Sequence, residues 1–201
     1  MLSAAALYAE GMSSPASTSS TSEWLAPVLR AVPAIAIGLT ITFTADHSAL
    51  IGLVMLSVFG IATAVVLALT SLRTGRGEPV RSLHRGLALF AGIAGALALV
   101  VVVTAGAGLP LFLLLVGGYA VLAGAFELVW GMRHRSRSPL ARDAVIIGIG
   151  TLALAVVLAL VADPVSAVGF FGAYAVMLGI FLLIVGFSLK WSTPVKEGAA
   201  S

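Results

Sequence analysis

The chain has 201 residues, of which 60% are hydrophobic and only 9% are charged, and its mean hydropathy is +1.14. Soluble domains carry about 25% charged residues, so this composition excludes a water-soluble globule and predicts a lipid bilayer as the main surroundings. The formal net charge is +3, but the basic residues do not interleave with aromatic ones as they do on nucleic-acid surfaces. We expect no nucleic-acid partner.

Groups that commonly carry chemistry are scarce. The chain has no cysteine, which excludes disulfides and thiolate metal sites. His47, His84 and His134 are predicted in three different connections, without a metal-type partner three or four residues further on. No phosphate-binding glycine loop, Ser/His/Asp constellation or paired carboxylates can be identified. We predict no metal, no cofactor and no enzymatic activity.

The first 23 residues are rich in Ser, Thr and Ala and lack the basic start and long apolar core of a secretory signal. We expect a disordered cytoplasmic tail over 1–23, in which Met12 offers an alternative start to Met1. A transmembrane domain over 24–190 and a short cytoplasmic tail over 191–201 are predicted to follow.

Six apolar stretches are long enough for the roughly 20 residues that a membrane span requires. The uncharged stretch 86–126 is too long for one span and divides at 105–110, where glycines and a proline predict a tight turn. Asp163 and Pro164 fit the start of the last helix as N-cap and first-turn residue. The predicted fold is all-α and polytopic, with spans at about 25–44, 48–72, 84–104, 109–132, 144–162 and 165–189.

The basic residues predict the orientation of these spans. Eight of the eleven lie in the connections after the second and fourth helices, and Lys190 and Lys196 follow the sixth. Basic connections stay in the cytoplasm, so both termini are predicted to be cytoplasmic. Some of these side chains are also candidates for binding anionic lipid headgroups, namely Arg73, Arg76, Arg133, Arg135 and Arg137.

An internal repeat divides the six helices into three hairpins, at about 24–75, 82–135 and 140–190. Residues 117–126 read GGYAVLAGAF, and residues 172–181, 55 positions later, read GAYAVMLGIF. Arg30, Arg85 and Arg142 recur near the start of each unit. The repeats would be parallel, and an approximate threefold arrangement about the membrane normal is open.

Helices four and six each carry glycines at seven-residue spacing, which places them in one stripe along each helix. Small residues allow close helix packing in lipid, so these stripes predict contact seams; a glycine-lined cavity or conduction path is the alternative. The glycines are Gly117, Gly124, Gly131, Gly172, Gly179 and Gly186.

These motifs resemble the HdeD-like acid-resistance membrane proteins, a family of short membrane repeats of unknown biochemical function. The resemblance rests on the segments around Tyr119 and Tyr174, the arginine-rich connection 133–142 and the Asp163-Pro164 turn. It implies a six-helix protein of the bacterial cytoplasmic membrane, linked to acid or general stress, and it carries over no catalytic residue.

Glu127 is the acidic residue that lies well inside a predicted span, where an ionisable group costs on the order of 3 kcal/mol and is a functional candidate by default. Its depth is comparable to that of Arg30 in helix one. One interpretation is structural, as an ion pair with Arg30 or a side chain that reaches toward the cytoplasmic arginines. The other is a protonatable group that responds to cytoplasmic acidification.

Tyr119 and Tyr174 lie at matching repeat positions, too deep for the aromatic belt at the membrane surface. A buried tyrosine hydroxyl needs a hydrogen-bond partner. We expect these two to form interhelical hydrogen bonds; a polar contact in a solute path is the alternative. For the whole chain, three functions are open: a noncatalytic stress-associated protein, a small channel or transporter for protons or a small neutral solute, and an accessory subunit of a membrane complex. A homo-oligomer or a membrane-protein partner is compatible with each.

Overall fold

The computed structural model describes residues 24–104, 106 and 108–191. This part of the chain contains six α-helices, each long and apolar enough to cross a membrane, which confirms the predicted fold class. The predicted tail 1–23 and all of the second tail except Trp191 lie outside the described residues. The helices are α1 Leu25–Phe43, α2 Ala49–Arg73, α3 Pro79–Thr104, α4 Leu109–Arg133, α5 Ala141–Leu160 and α6 Pro164–Trp191.

Local chemistry explains where the helices begin. The Ser48 hydroxyl accepts a hydrogen bond from the Ile51 backbone N–H at the start of α2, and Asp163 Oδ1 accepts one from the Ser166 N–H at the start of α6. Gly106, in the connection between α3 and α4, has a φ of 72°, a conformation that glycine adopts without steric cost. The hydrogen bond from Ser166 to Asp163 confirms the predicted N-cap of α6.

Large apolar side chains cover the outside of the bundle. Exposed valines, leucines and isoleucines occur on every helix, and Val103, Leu160 and Met177 are more than half exposed. In water, a protein with such a surface would aggregate. In a bilayer the same surface is stable, because lipid tails are as apolar as these side chains. The chain is a multi-pass integral membrane protein.

The helices are packed in a closed ring. The most extensive contacts join α2 to α3, α4 to α5 and α1 to α6, while the two helices of each predicted hairpin share a smaller interface. The even-numbered helices α2, α4 and α6 also contact one another. The tightest packing therefore lies between successive predicted units. The threefold repeat itself stays a prediction.

Glycines form the seams of this ring. A Cβ atom on Gly131 would lie 2.6 Å from the Ala141 carbonyl oxygen of α5, and one on Gly124 would lie 3.0 Å from the Gly148 oxygen. The stripe on α6 faces α1 in the same way, at Gly172, Gly179 and Gly186. The predicted contact seams are thus present at five positions.

Gly117 departs from that prediction. No atom lies within 4 Å of where its Cβ would be, so it does not form a close helix contact. Gly117 lies in the first half of α4, 14 residues before Gly131, and a stripe of seven-residue spacing drifts about 20° per step, which turns this position away from the seam.

Aromatic rings fill the centre of the bundle, on the even-numbered helices. Phe59, Phe112 and Phe171 are completely buried. The Phe59 ring is 5.8 Å from that of Phe171 and 6.0 Å from that of Tyr119, and the Phe112 and Phe171 centroids are 6.1 Å apart, all edge to face. We call these four residues the aromatic core.

Candidate functional site: a polar pocket in the bundle

The predicted ion pair between the first and fourth helices is present. Nη1 of Arg30 donates a hydrogen bond to Oε1 of Glu127 at 2.8 Å. Arg30 is 6% exposed and Glu127 is 1% exposed. Because a buried charge is costly unless it is paired, this contact explains how both groups are accommodated inside an apolar bundle.

The pair lies beside a cavity of about 40 Å³, which we call the polar pocket. It is located where α1, α3 and α5 begin and α2, α4 and α6 end, the end of the bundle that also carries the arginine-rich connections. Every helix contributes to its wall. The ionisable residues that line it are Arg30, His84, Glu127 and Asp143, and apolar ones include Leu67 and Leu182.

His84 corrects one prediction from the sequence. It lies inside α3, not in a connection, and its side chain is buried. Helix α3 begins at Pro79, seven residues before the uncharged stretch that starts at Gly86. This extra turn carries His84 to the wall of the pocket.

Asp143 was not identified as a pocket residue from the sequence. The repeat matched Arg30 with Arg85 and Arg142, but both of these arginines are exposed. Their chain neighbours, His84 and Asp143, face the pocket instead. Each odd-numbered helix thus contributes one ionisable side chain: α1 contributes the repeated arginine itself, and α3 and α5 contribute a residue one position from it.

Three buried polar atoms around the pocket have no hydrogen-bond partner in the protein: Nε of Arg30, Oε2 of Glu127 and Nδ1 of His84. Buried polar groups are almost always hydrogen-bonded, to protein or to ordered water. All three residues line the cavity. The pocket therefore concentrates unused hydrogen-bonding capacity within a largely apolar wall.

Two tyrosines lie behind the ion pair, toward the middle of the membrane. The hydroxyl of Tyr174 in α6 is 2.8 Å from Oγ1 of Thr151 in α5, which confirms the predicted interhelical hydrogen bond at this position. Tyr119 is buried and interacts electrostatically with Arg30 and Glu127. Both hydroxyl groups thus belong to the polar interior around the pair.

The five arginines predicted at lipid headgroups are exposed at the ends of α2 and α4 and in the connections 74–78 and 134–140, where such contacts are sterically open; headgroup binding stays a prediction. They are Arg73, Arg76, Arg133, Arg135 and Arg137.

The chemistry available to the pocket is narrow. Within the described residues, no group of three His, Asp or Glu side chains is arranged to hold a metal ion. The cavity is far smaller than the roughly 300–1,000 Å³ of typical small-molecule sites. It can accommodate water-sized species and can exchange protons at its ionisable groups. No family model, curated protein or solved structure matches this chain.

Proposed function

We propose that this chain is a noncatalytic membrane protein of the HdeD-like type, which supports survival under acid or general stress. The observation that carries the proposal is the buried Arg30–Glu127 ion pair, at 2.8 Å. It joins two helices through a group that protonation would neutralise. Acid would thereby act directly on the packing of the bundle.

The size of this effect follows from the energetics of buried charges. Breaking a buried pair by removing one partner costs roughly 3–5 kcal/mol, because the remaining charge is uncompensated. Protonated Glu127 would leave Arg30 in that state. A change of this size is a large share of the 5–15 kcal/mol that stabilises a typical domain, so the α1–α4 contact would rearrange.

The proposed location is the bacterial cytoplasmic membrane, with both termini and the polar pocket on the cytoplasmic side. The basic connections beside the pocket support this orientation. The pocket would then sense the pH of the cytoplasm, the compartment that acid stress threatens. Exposed arginines on the same side would hold anionic headgroups and fix the depth of the bundle.

The pocket supports a noncatalytic role through its size and composition. A cavity of about 40 Å³ leaves no room for an ordinary metabolite. The alternative of a channel or transporter has less support, since the aromatic core occupies the centre of the ring beyond the pocket. The alternative of an accessory subunit is tested by co-purification from mild detergent.

Acid survival of a deletion strain tests the proposal. We expect the wild-type gene and Glu78→Gln to restore survival, because Glu78 is exposed in the connection 74–78. We expect Glu127→Gln to fail at equal protein levels. Arg30→Met combined with Glu127→Leu removes the titratable pair while keeping an apolar interior, and it should insert normally without protecting the cells. Equal survival of deletion and parent strains, or full rescue by this double variant, would refute the proposal.

A further inference from the structure

We propose that the polar pocket is a water-holding proton-binding site that opens only at the arginine-bearing end, so that Glu127 takes its proton from one side of the membrane. This inference deepens the proposed function and rests on it for its biological purpose.

The unpartnered atoms indicate what the pocket binds. Nε of Arg30 offers a donor, Oε2 of Glu127 offers an acceptor, and Nδ1 of His84 is also unpaired. A buried water needs two to four polar partners and a cavity of at least about 10–15 Å³. The pocket, at about 40 Å³, meets both requirements. Water and its protonated form are the species that fit.

The exposure of the wall residues indicates from which side a proton enters the pocket. Asp143, at the start of α5, is its half-buried member, whereas Arg30, His84 and Glu127 are buried. An approaching hydronium ion therefore meets the Asp143 carboxylate first.

On the membrane side the aromatic core closes the route, since its phenylalanines are completely buried and in contact with one another.

The groups that face Glu127 come from the elements packed around it. They are Arg30 of α1, His84 of α3, Asp143 of α5 and Tyr174 of α6, with Tyr119 on its own helix, and α2 contributes the apolar Leu67.

In the proposed step, hydronium transfers one proton to Oε2 of Glu127 and leaves as water. The carboxylate becomes a neutral acid and Arg30 keeps its charge. The hydrogen bond to Oε1 then loses its ionic component, which is what loosens the pair.

The natural absence of cysteine allows a direct test of access with single thiols in the full-length protein in sealed vesicles. The probe is the silver ion, a small monovalent cation that bonds to thiolates and does not cross the bilayer. Ala144→Cys places a thiol in the pocket wall, and Ala123→Cys places one in the core outside it. Gly77→Cys and Ala45→Cys mark the arginine-bearing and opposite faces.

We expect silver added at the face that modifies Gly77→Cys to modify Ala144→Cys as well. The rate should exceed that of Ala123→Cys about tenfold or more, since only a hydrated thiol ionises to the reactive thiolate. Silver at the face of Ala45→Cys should leave Ala144→Cys intact. Modification of Ala144→Cys from that face, or at a rate equal to that of Ala123→Cys from both faces, would overturn the proposal.

Infrared spectroscopy of the reconstituted protein tests proton binding itself. Between about pH 8 and about pH 4, a range that includes ordinary carboxyl titration, protonated-carboxyl absorption should grow in the wild type, and the difference between wild type and Glu127→Gln should contain the band of one carboxyl. Asp143→Asn should slow its appearance after a pH jump, whereas Asp163→Asn, at the opposite end, should not. A difference spectrum without such a band, or equal effects of Asp143→Asn and Asp163→Asn, would overturn the proposal.

The experiments distinguish a failure of the proposed stress function from a failure of the proposed proton site. If the thiol and infrared results are as expected but the deletion strain survives acid like its parent, the proton site stands and the stress function is wrong. If the strain is acid-sensitive and Ala144→Cys is inaccessible, the stress function stands and the proton site is wrong.

Discussion

Arg30 and Glu127 are 97 residues apart in the chain, and their side chains meet at 2.8 Å inside the bundle. The contact joins α1 to α4, two helices on different sides of the ring. Neither charge has another ionic partner among the described residues at salt-bridge distance. The stability of the assembled ring therefore depends on an ion pair whose carboxylate a single proton can neutralise.

The first prediction concerns this pair. Arg30→Gln and Glu127→Gln should each destabilise the protein by roughly 3–5 kcal/mol, because each leaves an unpaired buried charge. Arg30→Met with Glu127→Leu should recover most of this loss, since Leu182 already occupies the corresponding position of α6 at the pocket. Unfolding in detergent measures all three, with the exposed Arg85→Gln as control. Additive losses in the double variant would show that the pair is not coupled.

A second prediction compares two glycines of α4. Gly131→Ala should destabilise the protein by about 1–3 kcal/mol, because its Cβ would press on the Ala141 carbonyl and force α4 from α5. Gly117→Ala meets no neighbouring atom and should be neutral or stabilising by up to about 1 kcal/mol through helix propensity. Melting temperatures of the two variants in one detergent give the comparison. If both substitutions have the same effect, the seam does not limit packing.

The third prediction concerns the hydrogen bond between α5 and α6. The Thr151 hydroxyl donates to the Ile147 carbonyl oxygen at 2.8 Å, so Tyr174 donates to Thr151. Thr151→Val and Tyr174→Phe should each cost about 1 kcal/mol, and the double-mutant cycle should give a coupling of roughly 0.6 kcal/mol, as for other interhelical bonds in membranes. Unfolding of the four proteins checks this, and zero coupling would contradict it.

The fourth prediction is a pH dependence at the start of α6. The Ser166 backbone N–H, donating to Asp163 at 2.8 Å, lowers the pKa of that carboxyl below its ordinary value of 3.8. The cap is therefore fully present above pH 3.8 and is lost as the pH falls through the lowered pKa.

Hydrogen exchange provides the measurement. The protection factor of the Ser166 amide should fall in that acidic range. Asp163→Asn, whose amide oxygen caps helices without titrating, should remove the pH dependence while keeping protection at neutral pH. An equally pH-dependent Asn variant would place the titrating group elsewhere.

The sequence alone determined the number of helices, their approximate bounds and the close-packing role of five glycines. A bilayer requires long apolar segments whose backbone groups are satisfied within each helix, and this requirement is visible residue by residue. The pairing of Arg30 with Glu127 was also foreseeable, because both ionisable groups lie at a similar depth.

Only the tertiary structure decided which helices pack together and which side chains turn inward. His84 and Asp143 were missed because the orientation of a helix about its own axis cannot be read from segments that are apolar on every face. The closure of α6 onto α1 is likewise a long-range contact that no local pattern records. In lipid, the choice of neighbouring helices depends on how small residues and a few polar groups pack across the interfaces. These interhelical contacts exist only once the ring has formed.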